Sequence, residues 1–181
     1  MGEKAGEDFE LPELPEGHQE YRYTLPVSLT ISILAVLVAG ATLLGHRAHT
    51  EELLLQSRAT DQWSYYQAKN IRFHEVQGMA DLLGALADAK KTEALREKYL
   101  KETERYESDK EDISEKAKEF EKERDLISRR ADRFDGGEAL LEVGLVICSI
   151  TLLTRRRLFW LGGILIGAVG VVTALTGLFL K

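Results

Sequence analysis

The chain has 181 residues, of which 44% are hydrophobic and 30% are charged, and its formal net charge is −6. These averages are typical of one soluble domain, but the apolar and charged residues occur in separate stretches, which excludes a single mixed globular core. Most of the net charge comes from an acidic N-terminal segment and no basic patch occurs, so the charge pattern argues against nucleic acid as a partner.

Residues 1–24 form the acidic segment. They contain seven acidic residues against two basic ones, and two prolines in the sequence ELPELPEG. A segment of this composition buries too little apolar surface to offset the entropy that ordering costs. We therefore predict a disordered tail.

Residues 25–45 contain no charged residue, and their length fits the roughly 20 residues of a membrane-spanning helix. Pro26 falls in the first turn, where a helix tolerates proline. A cleaved signal peptide is the alternative, because Ala39-Gly40-Ala41 resembles a cleavage site. The preceding segment is acidic rather than basic, however, and the apolar run is longer than a signal core. We predict a retained first span.

Residues 46–137 are highly charged but nearly balanced, with 18 basic and 21 acidic residues. Both ends of this block adjoin apolar spans, so both ends must meet the membrane on the same face. The simplest arrangement is an antiparallel helical hairpin with arms of about 45 residues, roughly 65 to 70 Å long at 1.5 Å per residue. We expect the turn between Gly84 and Thr92, near the midpoint.

Both arms carry a repeat that is typical of a coiled coil. In the first arm it alternates steps of four and three residues, through Leu55, Ala59, Gln62, Tyr66, Lys69, Phe73, Val76, Ala80, Leu83 and Ala87. In the second arm it recurs every seven residues, at Tyr99, Tyr106, Ile113, Phe120, Ile127 and Phe134, with the weaker companions Thr103, Lys110, Ala117, Arg124 and Ala131. Because this seam is thin, we expect several copies to associate as a homo-oligomer.

Residues 138–154 form a shorter apolar stretch that only Glu138 and Glu142 interrupt, and residues 158–180 are uncharged. Arg155, Arg156 and Arg157 separate the two stretches as a basic turn. The predicted fold is therefore all-α, with three transmembrane helices and a long antiparallel coiled-coil hairpin between the first and the second.

Small residues follow one face of two spans, where they let helix backbones approach closely in lipid. In the last span they are Gly163, Gly167, Gly170, Ala174 and Gly177. In the first span they are Ser28, Ser32, Ala35, Ala39 and Thr42. We predict that these are packing faces, within one chain or between chains.

The most specific local feature is the segment DQWSYYQAKNIR. Its Trp63 lies 18 residues beyond Gly45, about 27 Å along a helix, which is too far for an aromatic belt at the membrane surface. Aromatic rings with polar tips among amides, an acid and a base indicate either helix contacts of defined register or a surface for an unidentified protein partner. The candidate residues are Asp61, Trp63, Tyr65, Tyr66, Gln67 and Lys69.

Glu142 is the remaining chemical candidate. An ionisable side chain inside a span suggests a proton or ion site, but a carboxylate at headgroup depth, paired with Arg133 or another basic group, is the simpler interpretation of a short span. His46 and His49 have only Glu51 and Glu52 nearby, too few ligands to predict a metal site. Cys148 is the single cysteine. The sequence indicates no enzyme and no cofactor.

The segments DQWSYYQAKNIR and TLLTRRRLFW resemble an uncharacterised family of bacterial membrane proteins, the domain of unknown function 4337 family, as do GHRAHTEELLLQSRAT and RYESDKEDI. The resemblance covers nearly all of the chain after the acidic tail. It implies a bacterial origin and the architecture above, and it implies no activity.

The three arginines of the basic turn favour a cytoplasmic position for that turn, which makes the hairpin periplasmic and the protein a multi-pass protein of the bacterial inner membrane. Arg47, Arg124, Arg129, Arg130 and Arg133 on the hairpin side oppose this orientation, but long loops count less. We expect a non-enzymatic, self-associating scaffold or accessory subunit. The alternative is a small oligomeric channel or transport component.

Overall fold

The computed structural model describes residues 17–85 and 89–180, with side chains from 24 to 85 and from 92 to 180. It contains three helices, α1 (Gly17–Ala85), α2 (Ala89–Thr154) and α3 (Arg157–Phe179), and no strand in these described residues. The long helices α1 and α2 pack against each other in a hairpin-like pair. The all-α prediction is therefore confirmed.

The two long helices continue through several of the predicted segment borders. Helix α1 begins at Gly17, inside the segment predicted to be disordered, and residues 1–16 of that segment lie outside the described residues. The predicted turn lies between the end of α1 at Ala85 and the start of α2 at Ala89, and its residues 86–88 are likewise outside the described part. No proline follows Pro26, so nothing in the sequence interrupts either long helix.

Each of the three helices contains a stretch that is long and apolar enough to cross a membrane. The stretches lie in Thr24–Ala85, Thr92–Thr154 and Arg157–Phe179, and few of their residues are buried inside the protein. A large exposed apolar surface of this kind is expected where lipid replaces water as the solvent. The structure is therefore consistent with a membrane protein.

The chain divides into two compact units. The arm unit comprises residues 41–136 and 173–180. Every described position of the predicted seam in both arms is buried or half-buried. The core of this unit is an apolar cluster, which consists of Ala48, Leu55, Ile127, Ala131 and Phe134, with Leu44, Phe120 and Ala174 packed against it.

The span unit comprises residues 17–40 and 137–172. Its connection between α2 and α3 is short because Arg155 adopts a left-handed backbone conformation with φ of 55°. The Arg155 N–H donates to the carbonyl of Thr151 at 2.8 Å, which caps the end of α2. The first backbone turn of α3 is closed by Phe159 N–H donating to the Arg156 carbonyl at 3.2 Å.

Candidate functional site

A group of polar and aromatic side chains joins the two arms in the middle of the hairpin. We call this group the polar layer; it consists of Trp63, Tyr66, Lys69, Asn70 and Phe73 from α1 and Tyr106, Asp109, Lys110 and Glu121 from α2. These side chains occupy the seam or the positions beside it. An ordinary coiled coil has aliphatic residues at the seam positions, which here are Tyr66, Lys69, Phe73, Tyr106 and Lys110.

Trp63 is the first residue of the polar layer along α1. Its indole Nε1 donates a hydrogen bond to Glu121 Oε1 at 2.8 Å, and both side chains are half-buried. Its ring meets that of Tyr66 edge to face, with centroids 5.6 Å apart. The Trp63 side chain thus makes a hydrogen bond to α2 and an aromatic contact within α1.

Two lysines, one from each arm, bond across the hairpin at adjacent positions. Lys69 Nζ donates to Asp109 Oδ2 at 2.8 Å. Lys110 Nζ donates in the opposite direction, to Asn70 Oδ1 at 2.9 Å. A shift of one arm by a single residue would break both bonds, so the reciprocal pair sets the register of the hairpin.

The hydrogen bond between Lys69 and Asp109 also fixes their charges. It raises the pKa of Lys69 and lowers the pKa of Asp109, against the opposing effect of desolvation on each. Both groups are therefore charged across the neutral pH range.

The same two lysines pack against aromatic rings. Lys69 Nζ lies 5.4 Å from the ring centroid of Tyr65 and 5.2 Å from that of Tyr106. Lys110 Nζ lies 4.0 Å from the centroid of Phe73. Each ammonium group thus has an aromatic face as well as an oxygen partner, an arrangement that holds a charged side chain in a seam at low cost.

The structure divides the six residues predicted in this segment between two faces. Trp63, Tyr66 and Lys69 are half-buried and belong to the polar layer. Asp61 and Gln67 are exposed, and Tyr65 is 51% exposed. Three of the six residues thus make contacts between the arms. Asp61 and Gln67 stay on the surface, and Tyr65, although half of it is exposed, contacts Lys69 of its own helix.

The sequence analysis missed the partners of these residues. Phe73, Tyr106 and Lys110 were predicted only as seam positions, while Asn70, Asp109 and Glu121 were not singled out at all. The available signal was a polar residue beside a seam position in each arm. It does not identify a pair, because the register between the arms is not encoded locally.

A second contact between the two arms joins His49 of α1 to Asp135 of α2. His49 Nε2 is 2.9 Å from Asp135 Oδ2, and His49 Nδ1 is 3.4 Å from Glu52 Oε2. The hydrogen bond to Asp135, followed by the negative charges of both carboxylates, raises the pKa of His49. Gly45 makes room for this contact, since a Cβ on Gly45 would lie 2.9 Å from Asp135 Oδ1.

The histidines of this region show no metal cluster. Among the residues that the structure describes, no group of three or more His, Cys, Asp or Glu side chains is placed to hold a metal ion.

The predicted small residues of the last span lie at close helix contacts. In the span unit, a Cβ on Gly163 would lie 2.7 Å from the carbonyl oxygen of Gly144, and one on Gly170 would lie 2.8 Å from the carbonyl oxygen of Gly137. A Cβ on Gly167 would lie 2.7 Å from Leu34 of α1. Glycine thus allows α3 to approach the backbone of α2 within one chain.

In the arm unit, the end of α3 packs on the same helix, α2. Ala174 contacts the apolar cluster, and a Cβ on Gly177 would lie 3.2 Å from Phe134. The guanidinium of Arg130 donates two hydrogen bonds, of 2.6 and 3.0 Å, to the carbonyl of Leu180.

The small residues of the first span lie differently. Ser28, Ser32, Ala35 and Ala39 are exposed and Thr42 is half-buried, while the buried residues of this stretch are Val27, Leu34, Ala41 and Gly45. Four of the five residues of the predicted face are therefore exposed among the described residues, and the burial in the first span falls on a different face.

Two further predicted residues lie in α2 and one group lies in the connection. Glu142 is exposed, whereas Cys148 is fully buried against α3 near Gly163. Arg155, Arg156 and Arg157 are exposed between α2 and α3.

A family model described as Domain of unknown function (DUF4337) matches residues 24–180. The chain belongs to this family. The match includes all of the segments on which the resemblance was based, both arms and the three apolar stretches, and the predicted family is confirmed. The family description assigns no activity. No curated protein and no solved structure matches the chain.

Proposed function

We propose that the protein is a non-enzymatic scaffold or accessory subunit of a bacterial inner membrane, which carries a hairpin of fixed register on three spans. The observation that supports this proposal is the polar layer. Its reciprocal lysine bonds and the bond from Trp63 to Glu121 tie α1 to α2 at positions where an aliphatic seam would tolerate slippage. A fixed register keeps the outward residues of the two arms at constant positions, which is what a protein needs if it binds a partner through its surface.

The surface that the hairpin presents is charged on α2. Residues on the side of α2 opposite the seam include Ala94, Lys101, Ser108, Glu115, Lys122 and Arg129, and all six are exposed. With the two arms locked in register, these charges keep constant positions along the rod. We expect an unidentified protein partner to bind through these charges, because electrostatic complementarity between two surfaces gives specificity of binding.

The alternative, a channel, has less support. A channel needs polar groups facing a path, but two hydroxyls of the first span bond their own helix: Thr30 Oγ1 donates to the Pro26 carbonyl at 2.8 Å, and Ser32 Oγ donates to the Ser28 carbonyl at 3.0 Å. If purified protein in liposomes carried an ion flux that Glu142→Gln abolished, the channel would replace the scaffold.

The test of the scaffold is the mass of the detergent-solubilised complex, with the proteins that co-purify identified by mass spectrometry. We expect a mass of at least two chains, with or without a second protein. A lone monomer that co-purifies with nothing would overturn the proposal.

The proposed orientation places the hairpin in the periplasm. Thr92→Cys, in a chain whose natural cysteine is replaced by Cys148→Ala, puts a thiol near the tip of the hairpin. We expect a membrane-impermeant thiol reagent to label it in intact cells. Labelling that requires a broken membrane would reverse the orientation, without affecting the scaffold proposal.

A further inference from the structure

The three arginines of the basic turn concentrate positive charge at one end of the span unit. Arg155, Arg156 and Arg157 are exposed between α2 and the first turn of α3. The adjoining parts of both helices are uncharged, because α2 has no charged residue between Glu142 and Arg155 and α3 has none after Arg157. Glu142 is 13 residues from Arg155, about 20 Å along the helix. The carboxylates of α2 are therefore too distant to balance the charge of the turn.

A hydrogen bond joins α3 to α1 close to the basic turn. Trp160 lies one turn into α3, and its indole Nε1 donates to Thr30 Oγ1 at 3.2 Å. Both side chains are half-buried, and Thr30 Oγ1 itself donates to the Pro26 carbonyl at 2.8 Å. The start of α3 is therefore fixed against the first turns of the apolar stretch of α1.

Helices α1 and α3 run in the same direction from this hydrogen bond. Further along the unit, a Cβ on Gly167 would lie 2.7 Å from the Leu34 side chain, so later residues of α3 meet later residues of α1. Arg157 and Val27 each come three residues before the hydrogen-bonded pair, which places them at about the same height. The basic turn thus lies at the end of the span unit where α1 begins.

The segment that precedes α1 carries the opposite charge. Residues 1–16 lie outside the described residues, and α1 follows them from Gly17. They contain one basic residue, Lys4, and six acidic residues, so their formal charge is −5. The acidic residues are Glu3, Glu7, Asp8, Glu10, Glu13 and Glu16. Between this segment and the first apolar stretch, the charges of Glu20 and Arg22 cancel each other. The segment and the basic turn are therefore complementary in charge.

Residues 1–16 are long enough to fold back onto the turn. Gly17 precedes Val27 by ten residues, so the start of α1 extends about 15 Å beyond the height of the basic turn. Adjacent helices lie about 8 to 10 Å apart, which gives a total path of roughly 18 Å. Six extended residues cover about 20 Å at roughly 3.3 Å each. Leu11 and every residue before it can therefore reach the arginines while α1 stays helical.

Covalent attachment favours this segment over a free anion. A single exposed ion pair contributes little, but six carboxylates and three arginines form several pairs at once. A short flexible connection also holds the segment near the turn at an effective concentration in the millimolar range. Lipid phosphates offer the same chemistry at the membrane surface without this attachment. Charge, length and position together favour the segment as the occupant of the turn.

We propose that residues 1–16 bind back onto the basic turn of the same chain, with their carboxylates against Arg155, Arg156 and Arg157. The contact depends on charge and needs no folded core in the segment, in agreement with its composition. While the segment is bound, it shields the arginines from lipid phosphates and from acidic partners. The inference does not rest on the scaffold role. It applies to either orientation of the protein in the membrane, because the segment and the turn share one end of the span unit.

Disulfide formation in the purified full chain, held in phosphatidylcholine nanodiscs, tests the proposal. In a Cys148→Ala background, Leu11→Cys places one thiol in the segment. Thr154→Cys places the other beside the turn, at an exposed position. Cysteines whose Cα atoms come within about 7 Å can form a disulfide. The rate at which the disulfide forms within one chain, followed by mass spectrometry, therefore reports contact between the segment and the turn.

A neutralised segment is the matched control. Glu10→Gln, Glu13→Gln and Glu16→Gln, added to the same pair of cysteines, remove charge and change only residues that precede the described helices. At low salt we expect the native carboxylates to give a rate at least three times that of the control. Equal rates would overturn the proposal, and so would a covalent dimer as the main product, because the contact would then join two chains.

A reversal of the charges separates attraction from damage to the turn. Arg156→Glu and Arg157→Glu should lower the rate of the native segment below that of the control. Adding Glu10→Lys, Glu13→Lys and Glu16→Lys to this reversed turn should raise the rate again at least threefold. A reversed pair that stays slow would contradict an electrostatic contact.

Salt and lipid composition complete the test. At 1 M salt the Debye length falls to about 3 Å, so the native chain and the control should react at the same rate. In nanodiscs made of equal parts of phosphatidylcholine and phosphatidylglycerol, we expect the native chain to keep its advantage. A difference that persists at high salt would contradict the proposal. Loss of the advantage in the anionic nanodiscs would also overturn it, because lipid phosphates would then occupy the arginines. Neither result affects the scaffold proposal, which depends on the mass of the solubilised complex.

Discussion

Trp63→Phe removes the hydrogen bond from the indole Nε1 to Glu121 and keeps an aromatic ring in the polar layer. A hydrogen bond to a charged group contributes about 1.5 to 3 kcal/mol. Both side chains are half-buried, so we expect the lower end, about 1.5 kcal/mol. Since about 1.4 kcal/mol corresponds to a tenfold change in an equilibrium constant, local opening of the arms around Trp63 should become about tenfold more frequent.

Amide hydrogen exchange, measured by mass spectrometry on the full chain in lipid nanodiscs, reports this opening. We expect about tenfold faster exchange in peptides that cover residues 56–70 and 109–121, and unchanged exchange in α3. Lys118→Ala is the control, because Lys118 is an exposed residue of α2 one turn from Glu121. Exchange in Trp63→Phe within twofold of the wild type, or equal acceleration in the control, would refute the role assigned to the polar layer.

Two further predictions concern Gly163 in the span unit and His49 in the arm unit. Gly163→Ala should destabilise the solubilised protein by about 1 to 3 kcal/mol in thermal unfolding, because the added Cβ would overpack against Gly144. Gly162→Ala is the control and should cause no such loss, because a Cβ on Gly162 meets nothing within 4 Å; equal losses in the two variants would contradict the close contact at Gly163. The contact with Asp135 raises the pKa of His49, so it stabilises the folded protein while His49 is charged. This stabilisation should be fully present below about pH 6.5, the ordinary pKa of histidine, and should be lost as the pH rises through the pKa of His49 in the folded protein. The difference in unfolding temperature between wild type and His49→Gln should therefore shrink at high pH, and a difference that is independent of pH would contradict it.

Much of the fold follows from patterns that are local in the sequence. Charge-free runs of 20 or more residues predict apolar helices because a helix satisfies its own backbone in lipid. The steps of four and three residues predict which side chains share the inward face. Every seam position from Leu55 to Leu83 is indeed buried or half-buried, whereas the residues on the opposite face of α1, Ser57, Ser64, Ile71 and Gly78, are exposed. The hydrophobic period alone was enough for this.

The pairing of faces was not predictable in the same way. Small residues follow one side of both the first and the last span, yet Gly163 and Gly170 pack against α2 while Ser28 and Ala35 stay exposed. A periodic pattern shows which residues lie on one side of a helix. It does not show to which neighbour that side is turned, because the rotation of each helix depends on the packing of all three.

The sequence by itself therefore determined the three helices, their order, the inward seam of each arm and the family to which the chain belongs. Only the tertiary structure decided that Trp63 bonds Glu121, that Lys69 bonds Asp109 and that Lys110 bonds Asn70. The physical reason is the range of the interactions. Periodicity acts within a few turns of one helix, whereas the register between two arms depends on pairs that lie 40 to 58 residues apart in the chain.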